Sequence, residues 1–65
     1  MNVYEIMKHK NEYVRLHVMT RGKTIFYYKG VIKKIIERLN LIIFDDVRMN
    51  ECRFSCENIK NIDVL

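Results

Sequence analysis

Two histidines, two cysteines and one adjacent pair of aspartates are the side chains that catalysis or metal binding would call on first. His9 falls in a helical stretch and His17 on the outward face of an alternating stretch; neither has an Asp, Ser or Cys in a catalytic motif nearby in sequence, so solvated imidazoles are expected. Asp45-Asp46 offers two oxygen donors in sequence, with no glycine-bearing calcium loop behind them, and reads as a turn. Cys52 and Cys56 have no second ligand pair at zinc-site spacing and are too few for a disulfide scaffold, so reduced, mostly buried thiols are expected. No glycine-rich phosphate loop occurs. An enzyme is not expected, and no cofactor or metal is implied.

What remains is chemistry of recognition. Asn40 carries a donor and an acceptor on one amide, the equipment needed to pair with a base edge. The other reading of Asn40 is a residue holding a tight turn through its own backbone. Arg38 offers a guanidinium plane for stacking and for phosphate, or a solvated charge at a strand end. Lys33 and Lys34 add charge for neutralising a polyanion backbone, or belong to a solvated face.

Charge is distributed unevenly along the 65 residues, whose net charge is +4. Residues 1–34 hold eight Lys and Arg against two acids, a balance of +6, and residues 35–65 balance to −2. Tyr13, Tyr27 and Tyr28 lie among the lysines of the basic half, the pattern of a polyanion-binding surface or of a lysine-rich solvated one. Hydrophobic residues make up 49 % of the chain and proline is absent, a folding composition. A chain this short buries only about 60 % of its unfolded surface. One small domain over residues 1–65 is expected, with no room for a separate cofactor domain. The longest uninterrupted apolar run, Leu41–Phe44, is far too short to span a membrane, and no signal segment precedes it. The expected compartment is reducing and intracellular: cytoplasmic, or nuclear in a eukaryote.

These residues must be held by a short helix and a set of strands. Asn2 is placed as an N-cap with Glu5 completing a capping box, which predicts a helix over about 2–10 with Val3, Ile6 and Met7 on one face. From Tyr13 the period becomes alternating, with Val14, Leu16 and Val18 facing one way and Arg15 and His17 the other. Strands are expected at about 13–19, 24–36, 39–44, 47–54 and 58–62. Thr20-Arg21-Gly22-Lys23 marks the first turn, and Gly30 a bend or close backbone approach inside a long strand. The third strand is apolar on both faces; Leu39, Leu41 and Ile43 are candidates for the core, leaving Ile42 and Phe44 outward. A helix followed by five bent strands predicts a mainly β fold, a small SH3-like barrel closed or nearly closed. Surplus apolar residues on the terminal strands predict pairing of edge strands between subunits.

The stretch from Gly30 to Asp45 resembles the first signature of the Sm and Sm-like (LSm) proteins. Gly30, Ile32, Leu39, Asn40, Leu41, Ile43 and Asp45 fit that signature in register, without a gap. The second signature, built on an Arg-Gly pair, is loosely echoed by Phe54-Ser55-Cys56-Glu57-Asn58-Ile59, where Ser55 and Cys56 replace the pair. Ile36 stands where the family usually has aspartate. The resemblance implies an Sm-type barrel assembling into a ring, strand four of one subunit against strand five of the next. It implies that Asn40 reads a base of short single-stranded RNA, often uridine-rich, that Arg38 stacks on it, and that Ser55 and Cys56 close the pocket from the facing loop. Such rings scaffold ribonucleoprotein particles and RNA processing. The loss of the aspartate and of Arg-Gly implies weakened or retuned base recognition. An Sm-fold adaptor that no longer reads RNA is the second reading, and a small basic SH3-like protein on duplex DNA the third.

Overall fold

The alternating stretch from Tyr13 becomes the centre of the molecule. In the computed structural model, which describes residues 1–65, β1 spans Tyr13–Met19 and buries Val14, Leu16 and Val18 while Arg15 and His17 stay half-buried on its other face. β2 (Ile25–Ile36), β3 (Leu41–Asp46), β4 (Asn50–Ser55) and β5 (Ile59–Val64) complete one antiparallel sheet of order β4-β3-β2-β1-β5. β4 and β5 are its two edges, so the sheet is not closed on itself.

The sheet is strongly curled all the same. Phe54 on β4 lies level, through Ile42, with Ile35 on β2, seven residues beyond Tyr28. On a flat sheet that offset is roughly 23 Å. The Tyr28 and Phe54 rings are 4.7 Å apart. Two irregularities accompany the curl: an extra residue, Lys60, in β5 opposite the His17–Val18 step of β1, and another, Lys33, in β2 between Ile32 and Lys34. Gly30 allows a third close approach. It faces Asp46, and a Cβ there would sit 1.9 Å from the carbonyl oxygen of Asp45.

One helix precedes the sheet. Asn2 caps it, its Oδ1 accepting the Tyr4 amide at 2.7 Å. The helix α1 covers only Val3–Met7, shorter than the expected 2–10, because Ile6 alone of its residues is buried. Lys8 to Lys10 bury no apolar side chain, and the chain continues in tight turns to Asn11, a left-handed residue (φ 70°). Glu5 makes no side-chain bond back to the cap.

The third strand corrects the expected parity. Residues Glu37–Leu39 coil into a 3-10 turn and Asn40 takes a left-handed conformation (φ 51°, ψ 48°), so β3 begins at Leu41 rather than 39. Ile42 and Phe44 are fully buried, Leu41 and Ile43 half-buried, and Leu39 is exposed. Register decides this: Phe44 is the partner of Ile32, which already faces the core. The Asp45-Asp46 pair ends β3, and Asp46 Oδ2 accepts the amides of Arg48 and Met49 at 2.9 Å each to shape the following turn. β4 therefore starts at Asn50, not 47, and β5 runs from Ile59 to Val64. Ten residues form the core, from Ile6 through Phe44 to Ile62. No helix is long and apolar enough to cross a membrane.

Candidate functional site

Two turns at one end of the sheet meet through a backbone bond. The 3-10 turn Glu37–Leu39 closes with the Asn40 amide donating to the Glu37 carbonyl at 3.0 Å. The facing turn, Cys56–Asn58, follows Ser55, the partner of Leu41 at the end of the β3–β4 ladder. The Cys56 amide donates to the Asn40 carbonyl at 2.9 Å and locks the turns side by side. The chain start joins this junction, the Met1 amine donating to the carbonyls of Cys56 and Ile59.

Within that frame Asn40 is exposed and its side-chain amide, unlike its backbone N–H, hydrogen-bonds to nothing in the protein. Its backbone explains why an asparagine is tolerated there, since Asn enters the left-handed region more readily than most residues. The side chain keeps its donor and its acceptor free. Ile36, half-buried at the start of the turn, supplies no polar group to orient it.

The other expected site residues are sorted by the fold. Arg38 and Lys34 come together with Lys10, from the end of the segment expected to be helical. These three cations line an open groove of about 740 Å³ floored by Met7, Ile35 and Ile36, with Glu37 the acid at its rim. Lys33 is separated from Lys34 by the β2 bulge and lies 3.9 Å from Glu51 on β4. Ser55 is half-buried at the junction. Cys56 does not face a ligand: its side chain is fully buried in the core, where burial pushes its thiol pKa up. Its contribution to the junction is its backbone N–H. Cys52 on β4 is half-buried, its thiol also pushed up, by burial and then by Asp46 and Asp45.

Compared with protein-family models and with curated protein sequences, the chain matches none. An apolar floor lined by three cations, with a free amide on the turn that follows Arg38, suits a ligand with flat bases and a charged backbone.

The histidines depart from expectation in having carboxylate partners. His9 Nδ1 lies 2.8 Å from Glu12, and His17 Nε2 lies 2.6 Å from Asp63 across the β1–β5 pair. The second contact spans 46 positions, beyond the reach of any motif. Neither pair has a nucleophile assigned to it, and no group of three His, Cys, Asp or Glu gathers for a metal.

Proposed function

We infer that this chain is an Sm-like RNA-binding subunit. Its two free sheet edges join neighbouring copies into a ring, and the Asn40 turn holds bases of short single-stranded, uridine-rich RNA for ribonucleoprotein assembly or RNA processing. The observation that carries the reading is the junction of the β2–β3 and β4–β5 turns through the Cys56–Asn40 bond, which leaves the Asn40 side-chain amide unpaired two residues after Arg38, a residue of the groove that Lys34 and Lys10 also line. The signature that resembles the Sm first motif covers the same turn. Support for assembly comes from strand order: β4 and β5, the strands such a ring would pair, are both edges. Ser55, the partner of Leu41, lies at the junction, while Cys56 acts from the core.

The discriminating variant is Asn40→Gly, because glycine keeps the left-handed backbone and deletes only the amide. Binding of a fluorescein-labelled oligouridylate, followed by anisotropy, is expected to weaken roughly 10-fold with the thermal melt little changed. Unchanged binding, or none by the parent protein, moves the chain to the adaptor reading. Equal binding of duplex DNA moves it to the SH3-like DNA-binding reading.

A further inference from the structure

The opposite end of β2 carries a second arrangement, on the sheet face that points away from the core. Tyr27 stands there with its side chain 55 % exposed. Its ring meets that of His17 edge to face, centroids 4.8 Å apart, so its orientation is held although most of it is open. Two concavities flank it. One, about 500 Å³, is lined by Arg15, His17 and Tyr27. The other, about 360 Å³, is lined by Tyr27, Lys29, Val47 and Arg48. Tyr27 is the wall they share.

The charges around that wall are available. Lys29 and Arg48 have no carboxylate within ion-pair distance, and Arg15 reaches Asp63 only at 4.0 Å. Two acids share this face: Asp63, engaged by His17 at 2.6 Å and by the Asn61 amide at 3.1 Å, and the exposed Asp45, the β3 partner of Val31, which forms no ion pair with Lys29 or Arg48. The position of Arg48 is built, not incidental. The Val47 amide donates to the Lys29 carbonyl at 2.9 Å, and the Asp46 carboxylate holds the Arg48 amide, so the β3–β4 turn is pinned beside β2. An aromatic ring with a cation-lined hollow on either side matches a base stacked between two backbone phosphates. An acidic peptide would use the cations but leave the ring without a planar partner.

We propose that Tyr27, flanked by Arg15 on one side and Lys29 and Arg48 on the other, is a sequence-tolerant stacking site for single-stranded nucleic acid, separate from the Asn40 turn. It stands on different residues and at the other end of β2, so it does not depend on the reading of that turn. Stacking uses the face that every base has, so RNA and DNA strands are both ligands. With three cations engaged, the logarithm of affinity should fall against the logarithm of salt with a slope of about −2.

The test is a titration of the full chain, labelled with nitrogen-15, with a mixed-sequence single-stranded DNA hexamer, read by amide chemical shifts. Shifts are expected at Arg15, His17, Tyr27, Lys29 and Arg48. Tyr27→Ala should weaken binding about 5- to 150-fold and Tyr27→Phe should retain it, because phenylalanine still stacks. The same pattern should persist in an Asn40→Gly background. Shifts confined to Arg38, Asn40 and Ser55 overturn this proposal while sparing the reading of the turn; the reverse pattern does the opposite. Equal loss in Tyr27→Phe and Tyr27→Ala, or displacement of the hexamer by polyglutamate at matched charge, also overturns it, since charge alone would then explain binding.

Discussion

Asn40 meets two demands at one position, a left-handed backbone and an unspent amide, and they separate by substitution. Asn40→Asp tolerates the same backbone but replaces the donor with a negative charge that repels phosphate, so RNA affinity should drop further than in Asn40→Gly. Gly30 meets a purely steric demand. Gly30→Ala sets a methyl group 1.9 Å from the Asp45 carbonyl oxygen, which β2 and β3 can relieve only by moving apart. A loss of about 3 kcal/mol or more is expected in urea unfolding, the upper end of what overpacking costs. The thiols make a prediction in pH. Burial raises the Cys56 value in the folded state above its ordinary 9.0, so the fold disfavours the thiolate. The associated stability is whole below pH 9.0 and is lost as pH rises through that value toward the folded one. The urea midpoint of the parent should therefore fall more steeply between pH 8.5 and about 10.5 than that of Cys56→Ala. Cys56 should also resist alkylation at neutral pH until the chain unfolds.

At the scale of elements, the two sides of β3 decide between alternatives that composition leaves level. Leu39, Leu41, Ile42, Ile43 and Phe44 are all apolar, and alternation permits either set inside. The left-handed turn at Asn40 and the pairing of Phe44 with Ile32 choose Ile42 and Phe44. Ile42→Ala should cost about 2–5 kcal/mol and Leu39→Ala no more than about 0.5, measured by chemical denaturation. Equal effects would mean the register of β3 is wrong. The short helix depends on its cap: Asn2→Ala should remove about 1 kcal/mol through the lost bond to the Tyr4 amide. Its brevity was not readable from the capping residues, because a cap specifies where a helix starts and only the surface beneath it specifies how far it is worth continuing.

For the whole molecule, the open sheet is the governing fact. Its Cα radius of gyration is 10.5 Å, close to the roughly 10.7 Å expected for a packed chain of this length, so the chain is compact even though the hydrogen-bond ladder is open. Two unpaired edges invite another chain. β5 ends in exposed apolar side chains, Val64 and Leu65, with Tyr13 exposed beside them on β1. If neighbouring copies pair through these edges, native mass spectrometry should show closed assemblies of 7.9 kDa subunits, with added mass that nuclease removes. Val64→Lys should reduce them to the single subunit with an unchanged far-ultraviolet circular dichroism spectrum, because the new charge lies at an exposed edge position. A monomer in the parent protein would remove the ring and leave the groove and the Tyr27 face to act alone.

Local pattern determined what local physics controls: the alternation that makes β1, the cap at Asn2, the turn after Thr20, the need for glycine at position 30, and an asparagine at a strand junction. Each rests on neighbours a few residues away, where steric and hydrogen-bonding rules act without the rest of the chain. Tertiary structure decided the parity of β3, the division of Lys33 from Lys34, the inward turn of Cys56, the recruitment of Lys10 to the groove and the His17–Asp63 contact. Bulges and left-handed residues shift side-chain parity by one position, and no periodicity within a strand reveals where they fall. Contacts between residues 46 positions apart exist only after β5 has docked on β1, and Tyr27, legible in sequence as a tyrosine among lysines, gains Arg15 and Arg48 as neighbours only in the folded sheet.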